Sequence, residues 1–588
     1  MLYGGQAIIK GVMMRSPRFF AVSCRRENGD ITTRVERVPI IKRPSFLRWP
    51  LFRRSRPCRS HRPCRLYRLY RLFPPDVQIP KGRRGPAAAL ALVLSAFANG
   101  GSMSSGPRPT IALLSPEGVE SVVDDSLRVL ASTGILVEND DAKLLLRQGG
   151  AAERGGRWRM KEEMVRAALA TVPHRIELFD REGRPAMDLG GERVHFAPGS
   201  AAIHLLDHAS GRRRPINCSD VVRFARLVDG LPNYAAQATA LTPGDVPAAI
   251  ADQVRLWLTL RTASKPVVTG TFRREGFAPM REMLLAVRGS DAELRRLPLA
   301  IFDCCPSPPL KWSDLTAQAL VDCARAGIPA EIVSMPMAGA TAPVTLREAV
   351  VQQCAENLSG VVLHQLAAPG APVIYGGSPA VVDMRHGTTP MGAVETMMID
   401  VASAAVGRRL GLPTHAYMAL SDSKSADYQA GLETGIGAVL AALAGVNVVS
   451  GPGMLDFEIC QSFEKLLLDH DACGMALRLV RGIERRGGDA PLLIQSVVES
   501  AEFLSSPHTR RHWKEELTVA SPLVARDTWG DWEARGAPRA DQAAEREVER
   551  RLAKSPARPP AGDVAAALDE IMGRGARSAG LPGLPPFG

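Results

Sequence analysis

The chain is 588 residues long, enough for more than one domain, and its 45% hydrophobic and 23% charged composition is that of an ordinary globular protein. The formal net charge of +12 would suggest an anionic partner. It resides at one end: residues 1–110 carry 22 Lys and Arg against 4 Asp and Glu, and the rest carries 51 against 57. The main body is therefore mildly acidic, and nucleic-acid binding by it is not expected, because no basic patch or RNA-type aromatic motif supports it. Ten cysteines without CxxC or zinc-type spacing read as reduced, mostly buried thiols, and no metal site is expected.

Residues 1–40 contain GGQAIIKGVMMRSP, Gly4 to Pro17, and then an Asn28-Gly29 pair that signals a hairpin turn. The first segment resembles the amino-terminal signature of a family of poorly characterised bacterial membrane proteins. No apolar run of the ~18–20 residues that span a bilayer comes after it. Residues 41–86 are dense in Arg, broken by Pro and without a structural period, and read as disordered. Lys81 to Ala98 has the form of a secretory signal at an internal position, and Met103 is a plausible start for the globular part of the chain. Residues 1–102 are thus expected to be a basic, disordered or spurious extension.

From Ser115 the chain becomes orderly. Pro116 and Glu117 open a helix with the apolar stripe Val119, Val122, Val123, Leu127 and Leu130, stopped at Gly134. Helices at 140–148 and 161–170 complete a helical lead-in over 103–195. Then strands and helices alternate. Strands are expected at Ser200–His204, Tyr234–Ala238, Pro266–Gly270, Leu299–Asp303, Ile328–Ser334, Ala371–Gly376, Pro413–Met418 and Val446–Ser450. Helical segments separate them, most ending in Gly, and no GxGxxG turn comes after the first strand. Eight such units predict an α/β fold, a (β/α)₈ TIM barrel over 196–485. A charged helical extension occupies 486–588, packed on the barrel or on another subunit.

Barrel chemistry lies past the carboxyl ends of the strands. That rule singles out His204 and Asp207; Asp303, Cys304 and Cys305; Tyr375, Asp383, Arg385 and Glu395; His415, Tyr417, Asp422, Lys424 and Asp427; and Asp456 and Glu458. Structural readings stand beside the functional ones. His204 and His415 fit hydrogen-bonded core histidines, Asp383 and Arg385 an ion pair, and the Asp422–Lys424 loop the cap of the next helix. Cys304 has no evident base to activate it.

Several long segments carry a family resemblance: APVIYGGSPAVVDMRHGTTPMGAVET, SDSKSADYQAGLE, LAALAGVNVVSGPGML, CCPSPPLKWSD and EGVESVVDDSLRVLASTGILVENDDAKLLLRQGGA. Together they resemble the trimethylamine methyltransferase family over about residues 108–575. The resemblance implies a barrel that moves a methyl group from a methylated amine to the Co(I) of a partner corrinoid protein. The corrinoid would be supplied by that partner rather than held tightly here. The founding members insert pyrrolysine in the barrel. This chain shows none, including near Leu420, which points to a quaternary amine such as a betaine. A cytoplasmic homo-oligomer is expected.

A quaternary nitrogen donates no N–H, so aromatic faces and carboxylates should hold it. By position, Asp383, Asp422 and Lys424 are the expected catalytic residues. His204, Phe302, Tyr375, Arg385, His415 and Tyr417 are expected to bind the substrate. Two other readings remain open: a non-catalytic quaternary-amine-binding barrel, and a membrane-associated fusion.

Overall fold

The computed structural model describes residues 108–587 apart from 487, 499–501 and 520, together with four strands in the first 37 residues. The chain divides into two compact units, 1–101 and 102–588. In the first, Gly4–Ile8, Gly11–Arg15, Phe19–Arg25 and Ile31–Arg37 form an antiparallel meander. Arg25 pairs with Ile31 across the Asn-Gly segment, the register expected of that hairpin. The Arg-dense segment and the signal-like segment lie outside the described residues.

The second unit is built around eight short strands and eight helices. In chain order these are β1 (His195–Ala197), α1 (Cys218–Asp229), β2 (Gln237–Ala238), α2 (Ala251–Thr262), β3 (Val267–Thr269) and α3 (Phe277–Arg288). Then come β4 (Ala300–Cys304), α4 (Asp314–Ala326), β5 (Ala330–Ser334), α5 (Leu346–Ala367) and β6 (Val373–Gly377). The series ends with α6 (Val394–Arg409), β7 (His415–Ala416), α7 (Tyr428–Ala444), β8 (Val448–Ser450) and α8 (Phe463–Val480).

Strands β2 to β6 pair in parallel, each with the next. A parallel bridge between Tyr375 and Thr414 joins β6 to the start of β7, β7 pairs with β8, and β8 pairs with β1. A parallel bridge between Phe196 and Tyr234 closes the ring. This is a (β/α)₈ barrel, and its eight helices cover it.

Local chemistry sets the helix ends. Asn217 and Asp220 make a reciprocal capping box at the start of α1. Ser313, Asp427 and Ser462 cap α4, α7 and α8 through side-chain oxygens. Gly327 and Gly445 end α4 and α7 in the left-handed conformation. Helix α5 is buried nearly all round, because the lead-in helix Pro116–Ser132 packs over it and Ser126 donates to the Val351 carbonyl at 2.9 Å. That double burial explains why its sequence lacks an amphipathic stripe.

Two expectations change. Strand one is His195–Ala197, not Ser200–His204. Pro198 and Gly199 end it, and the next apolar run includes the first strand of a rim hairpin, His204–Asp207 with Arg212–Pro215. That hairpin pairs in parallel with Cys460–Gln461 beyond β8. The lead-in is also less helical than expected, since it holds hairpins at Ala152–Arg159 and Ile176–Leu189. The carboxyl-terminal helices Ala540–Lys554 and Gly562–Ser578 pack on the outside of the barrel, the first against α8 and α1, the second against α2 and α3.

Candidate active site

The carboxyl ends of the strands surround a cavity of about 250 Å³. Its lining includes Arg255, Phe272, Asp303, Cys305, Tyr417 and Glu458. Asp303 on β4 and Glu331 on β5 are register neighbours in adjacent parallel strands. Glu331 is fully buried. On β7, His415 Nε2 lies 3.1 Å from Glu331 Oε1, but without hydrogen-bond alignment, so both atoms lack a partner. The His415 ring meets Tyr417 edge-on at 4.9 Å. The Tyr417 hydroxyl reaches Asp303 Oδ2 at 3.4 Å.

Backbone geometry places Glu458. Asp456, Phe457 and Glu458 are three successive non-glycine residues with φ of 52°, 57° and 65°. Each such residue costs roughly 1–2 kcal/mol in the left-handed region, so the turn is held by its contacts. Lys424 Nζ sits 3.9 Å over the Phe457 ring and 3.4 Å from Asp456. Arg213 of the rim hairpin pairs with Asp456 at 2.8 Å. Below the turn, Gly451 brings the end of β8 so close to the Met418 carbonyl that a Cβ would lie 2.1 Å from its oxygen.

Two carboxyls of the cavity, Asp303 and Glu458, and two others near it, Glu331 and Asp422, are made reluctant to ionise by burial. Burial pushes Asp303 up to about 7, opposed by neighbours that include Arg255. Burial, and then nearby Asp303, holds Glu331 well above the ordinary range. Glu458 is pushed up to about 8 by burial and by the charges of Asp422 and Asp303. Asp422 rises to about 6, because burial outweighs the N–H groups of Gly392 and Met391 that bond it at 2.7 and 2.9 Å. Burial pulls His415 down to about 3, leaving a neutral imidazole at pH 7. Cys305 is held well above its usual value by burial, so it presents a thiol rather than a thiolate nucleophile.

This arrangement suits a small cation. It offers the aromatic surface of Phe272 and Tyr417 and the carboxyls of Asp303 and Glu458, beside the buried Arg255 guanidinium. Among the described residues, no group of three or more His, Cys, Asp or Glu side chains is arranged to hold a metal ion. None of their helices is long and apolar enough to cross a membrane.

Residues 86–580 match the family described as trimethylamine methyltransferase (MTTB). The chain belongs to the trimethylamine methyltransferase family. Among its relatives is a trimethylamine methyltransferase of Desulfitobacterium hafniense (strain DSM 10664 / DCB-2), 30% identical over 430 residues, covering 73% of this chain and 86% of the relative. The glycine betaine methyltransferase of Desulfitobacterium hafniense (strain Y51) is 30% identical over 428 residues, covering 72% and 89%. Among solved structures, the Methanosarcina barkeri monomethylamine methyltransferase shares 11% identity at a TM-score of 0.41, covering 79% of this chain and 93% of that one.

The residues expected from sequence to form the site of this family member are scattered by the fold. Tyr417 lines the cavity, and His415 lies beside Tyr417 and Glu331. Asp422 is buried behind Glu458, where it caps the chain entering α6. Lys424 steadies the Glu458 turn instead of facing the cavity, and donates to the Asp422 carbonyl at 2.7 Å. His204 stands on the rim hairpin.

The other four point elsewhere. The Tyr375 ring packs outward on α6, 2.8 Å from where a Cβ on Gly407 would sit. Phe302 packs outward on Phe277 of α3, with ring centres 5.3 Å apart. Asp383 and Arg385 pair with each other at 3.0 Å in a surface loop, with the Arg385 side chain 83% exposed. This is the ion pair that stands beside their functional reading.

Asp303 and Glu458 stood at strand ends without an assigned role, and Glu331, Arg255 and Phe272 were missed. A visible signal did exist for two of them. Glu331 is an acid inside a buried strand, and Arg255 is a charge inside a helix whose neighbours are nearly all buried.

Proposed function

We propose that this barrel takes a methyl group from a quaternary amine and passes it to the Co(I) of a corrinoid carried by a partner protein. One observation carries the reading: the cavity at the strand ends pairs aromatic surface from Phe272 and Tyr417 with the carboxyls of Asp303 and Glu458. Family membership and the named relatives support the same chemistry.

The residues act by holding and aligning. The quaternary nitrogen rests against Phe272 and Tyr417, and Asp303 and Glu458 supply the opposing charge. No proton is required, because the C–N electron pair stays on nitrogen as the methyl leaves, and a neutral tertiary amine is released. The acceptor supplies the electron pair that forms the new bond to carbon. The protein's contribution is alignment of the reacting atoms and exclusion of water.

Around the mouth, Phe272, Met335, Ile203 and Ile459 are exposed apolar side chains on loops past four different strands. They offer a rim on which a partner can seat its corrinoid over the cavity. A Co(I) partner needs a reducing compartment, and a cytoplasmic reaction is part of this proposal.

The charge requirement is testable in binding. Calorimetry on the full chain with glycine betaine and with its carbon isostere 3,3-dimethylbutanoate, in which a quaternary carbon replaces the nitrogen, compares the same shape with and without the cation. Aromatic faces give about 0.5–2 kcal/mol each to a desolvated cation, so betaine is expected to bind about thirtyfold tighter or more. Equal affinities would remove the cation site from the account.

A further inference from the structure

Glu458 reaches the cavity from the tip of a hairpin. Leu455 pairs with Cys460, which leaves only Asp456 to Ile459 to turn the chain. Three of those four residues, Glu458 among them, are held in the left-handed region that favours glycine. Glu458 Oε1 is buried in the cavity wall without a hydrogen-bond partner.

The charges that face Glu458 are mostly of its own sign. Asp422 acts on it from the loop past β7, Asp303 from β4 and Asp400 from α6. Tyr417 past β7 and Arg255 on α2 share the cavity with it, and the Arg255 guanidinium is tied to the Thr239 and Gly270 carbonyls. Backbone strain and like charge therefore both push an ionised Glu458 out of the cavity.

Asp456 opposes that push. Its side chain is 13% exposed and takes two cations from different elements, Arg213 of the rim hairpin at 2.8 Å and Lys424 of the loop past β7 at 3.4 Å. Its own N–H donates to the Ser423 carbonyl at 3.0 Å. Lys424 also covers the Phe457 ring. The start of the tip is thus pinned to the chain on both sides, by groups that do not themselves line the cavity. Asp suits the position, because its short polar side chain tolerates the left-handed conformation better than most.

We infer that Asp456 is a positioning residue: clamped between Arg213 and Lys424, it keeps the hairpin tip wound so that the Glu458 carboxylate is presented to the ammonium group of the methyl donor. The inference rests on the reading of the cavity as a quaternary-amine site and adds the device that holds one of its charges in place.

The test is a double-mutant cycle between Asp456→Asn and Glu458→Gln, read as glycine betaine affinity by calorimetry on the full chain from pH 6 to 9. Asn keeps the size and left-handed tolerance of Asp and removes only the charge. Wild-type affinity should climb over this range. Asp456→Asn should lose the upper part of the climb, binding about tenfold more weakly than wild type at pH 8.5 and within about threefold of it at pH 6. The double variant should bind no more weakly than Glu458→Gln alone. Arg213 is more than half exposed, so Arg213→Gln should fold. It should show the same loss in smaller measure, about threefold at pH 8.5, and Arg213→Lys should restore the affinity. Additive losses in the cycle, or an Asp456→Asn profile that keeps the upper climb, would overturn the positioning role and leave the cation site standing. A wild-type protein that binds no betaine, or binds it equally at every pH, would overturn the carboxyl site and the inference with it.

Discussion

Asp303→Asn should lower kcat/KM for a quaternary donor about a hundredfold, since removing one partner of a desolvated charge contact costs roughly 2–5 kcal/mol. The loss should come with an altered pH profile. A quaternary ammonium does not titrate, so any pH dependence of its binding belongs to the protein. Asp303 titrates at about 7 and Glu458 at about 8, both raised chiefly by burial. Affinity in the wild-type protein should therefore climb from pH 6 to about 8.5 as the two carboxyls ionise. Asp303→Asn should remove the lower part of that climb and keep the upper.

Stability should move the other way. A carboxyl whose folded pKa is raised holds its proton longer in the fold than in the unfolded chain. Its contribution is complete at low pH and is lost as pH rises through about 7. The neutral Asn escapes that loss, so at pH 8 the variant should melt no lower than the wild type. Unchanged kinetics and an unchanged pH profile would show that Asp303 does not meet the donor.

Lys465→Met should destabilise the fold by about 3–5 kcal/mol, the usual cost of stripping a buried charge of its partner. Lys465 on α8 is 1% exposed. It pairs with the buried Asp469 one turn on and donates to Thr434 Oγ1 of α7 at 2.8 Å. Asp469 in turn accepts from the Gly453 N–H at 2.7 Å, in the turn that leads to Glu458. The network therefore fastens helices α7 and α8 to the loop that carries a cavity carboxyl.

Without Lys465, Asp469 is left buried without its cation, held only by hydrogen bonds such as that from the Gly453 N–H. Urea unfolding measures the loss. Adding Asp469→Leu should recover much of it, because the unpaired charge goes too. A single variant within 1 kcal/mol of wild type would mean that the pair does not hold the fold together.

The barrel was legible in the sequence because its signals are local. Apolar runs of strand length, helices ending in glycine and their regular spacing placed seven of the eight strands within a few residues. Strand one was misplaced because AAIHLL is as apolar as a barrel strand. Pairing partners, not composition, decide that it is loop and rim hairpin instead.

The site was less legible for a physical reason. Barrel strands are buried on both faces, so the alternation that tells inside from outside is lost. Tyr375 and His415 look alike as strand residues, yet one packs outward on α6 and the other lies against Glu331. Asp383 and Arg385 were attractive as charges near a strand end, but two residues of spacing let them satisfy each other. The better guide was a charge embedded in an apolar element, as at Glu331 and Arg255. Such a group is expensive to bury and needs a reason to be there.

The most direct measurement of the central claim is methyl transfer itself. The full chain is mixed with a Co(I) corrinoid protein and glycine betaine, and the cobalt spectrum is monitored over time. The account predicts conversion to the methyl-Co(III) spectrum with release of one equivalent of dimethylglycine, and a rate cut about a hundredfold by Asp303→Asn. A folded protein that binds betaine, yet leaves Co(I) unmethylated with betaine and with other quaternary donors, would contradict it.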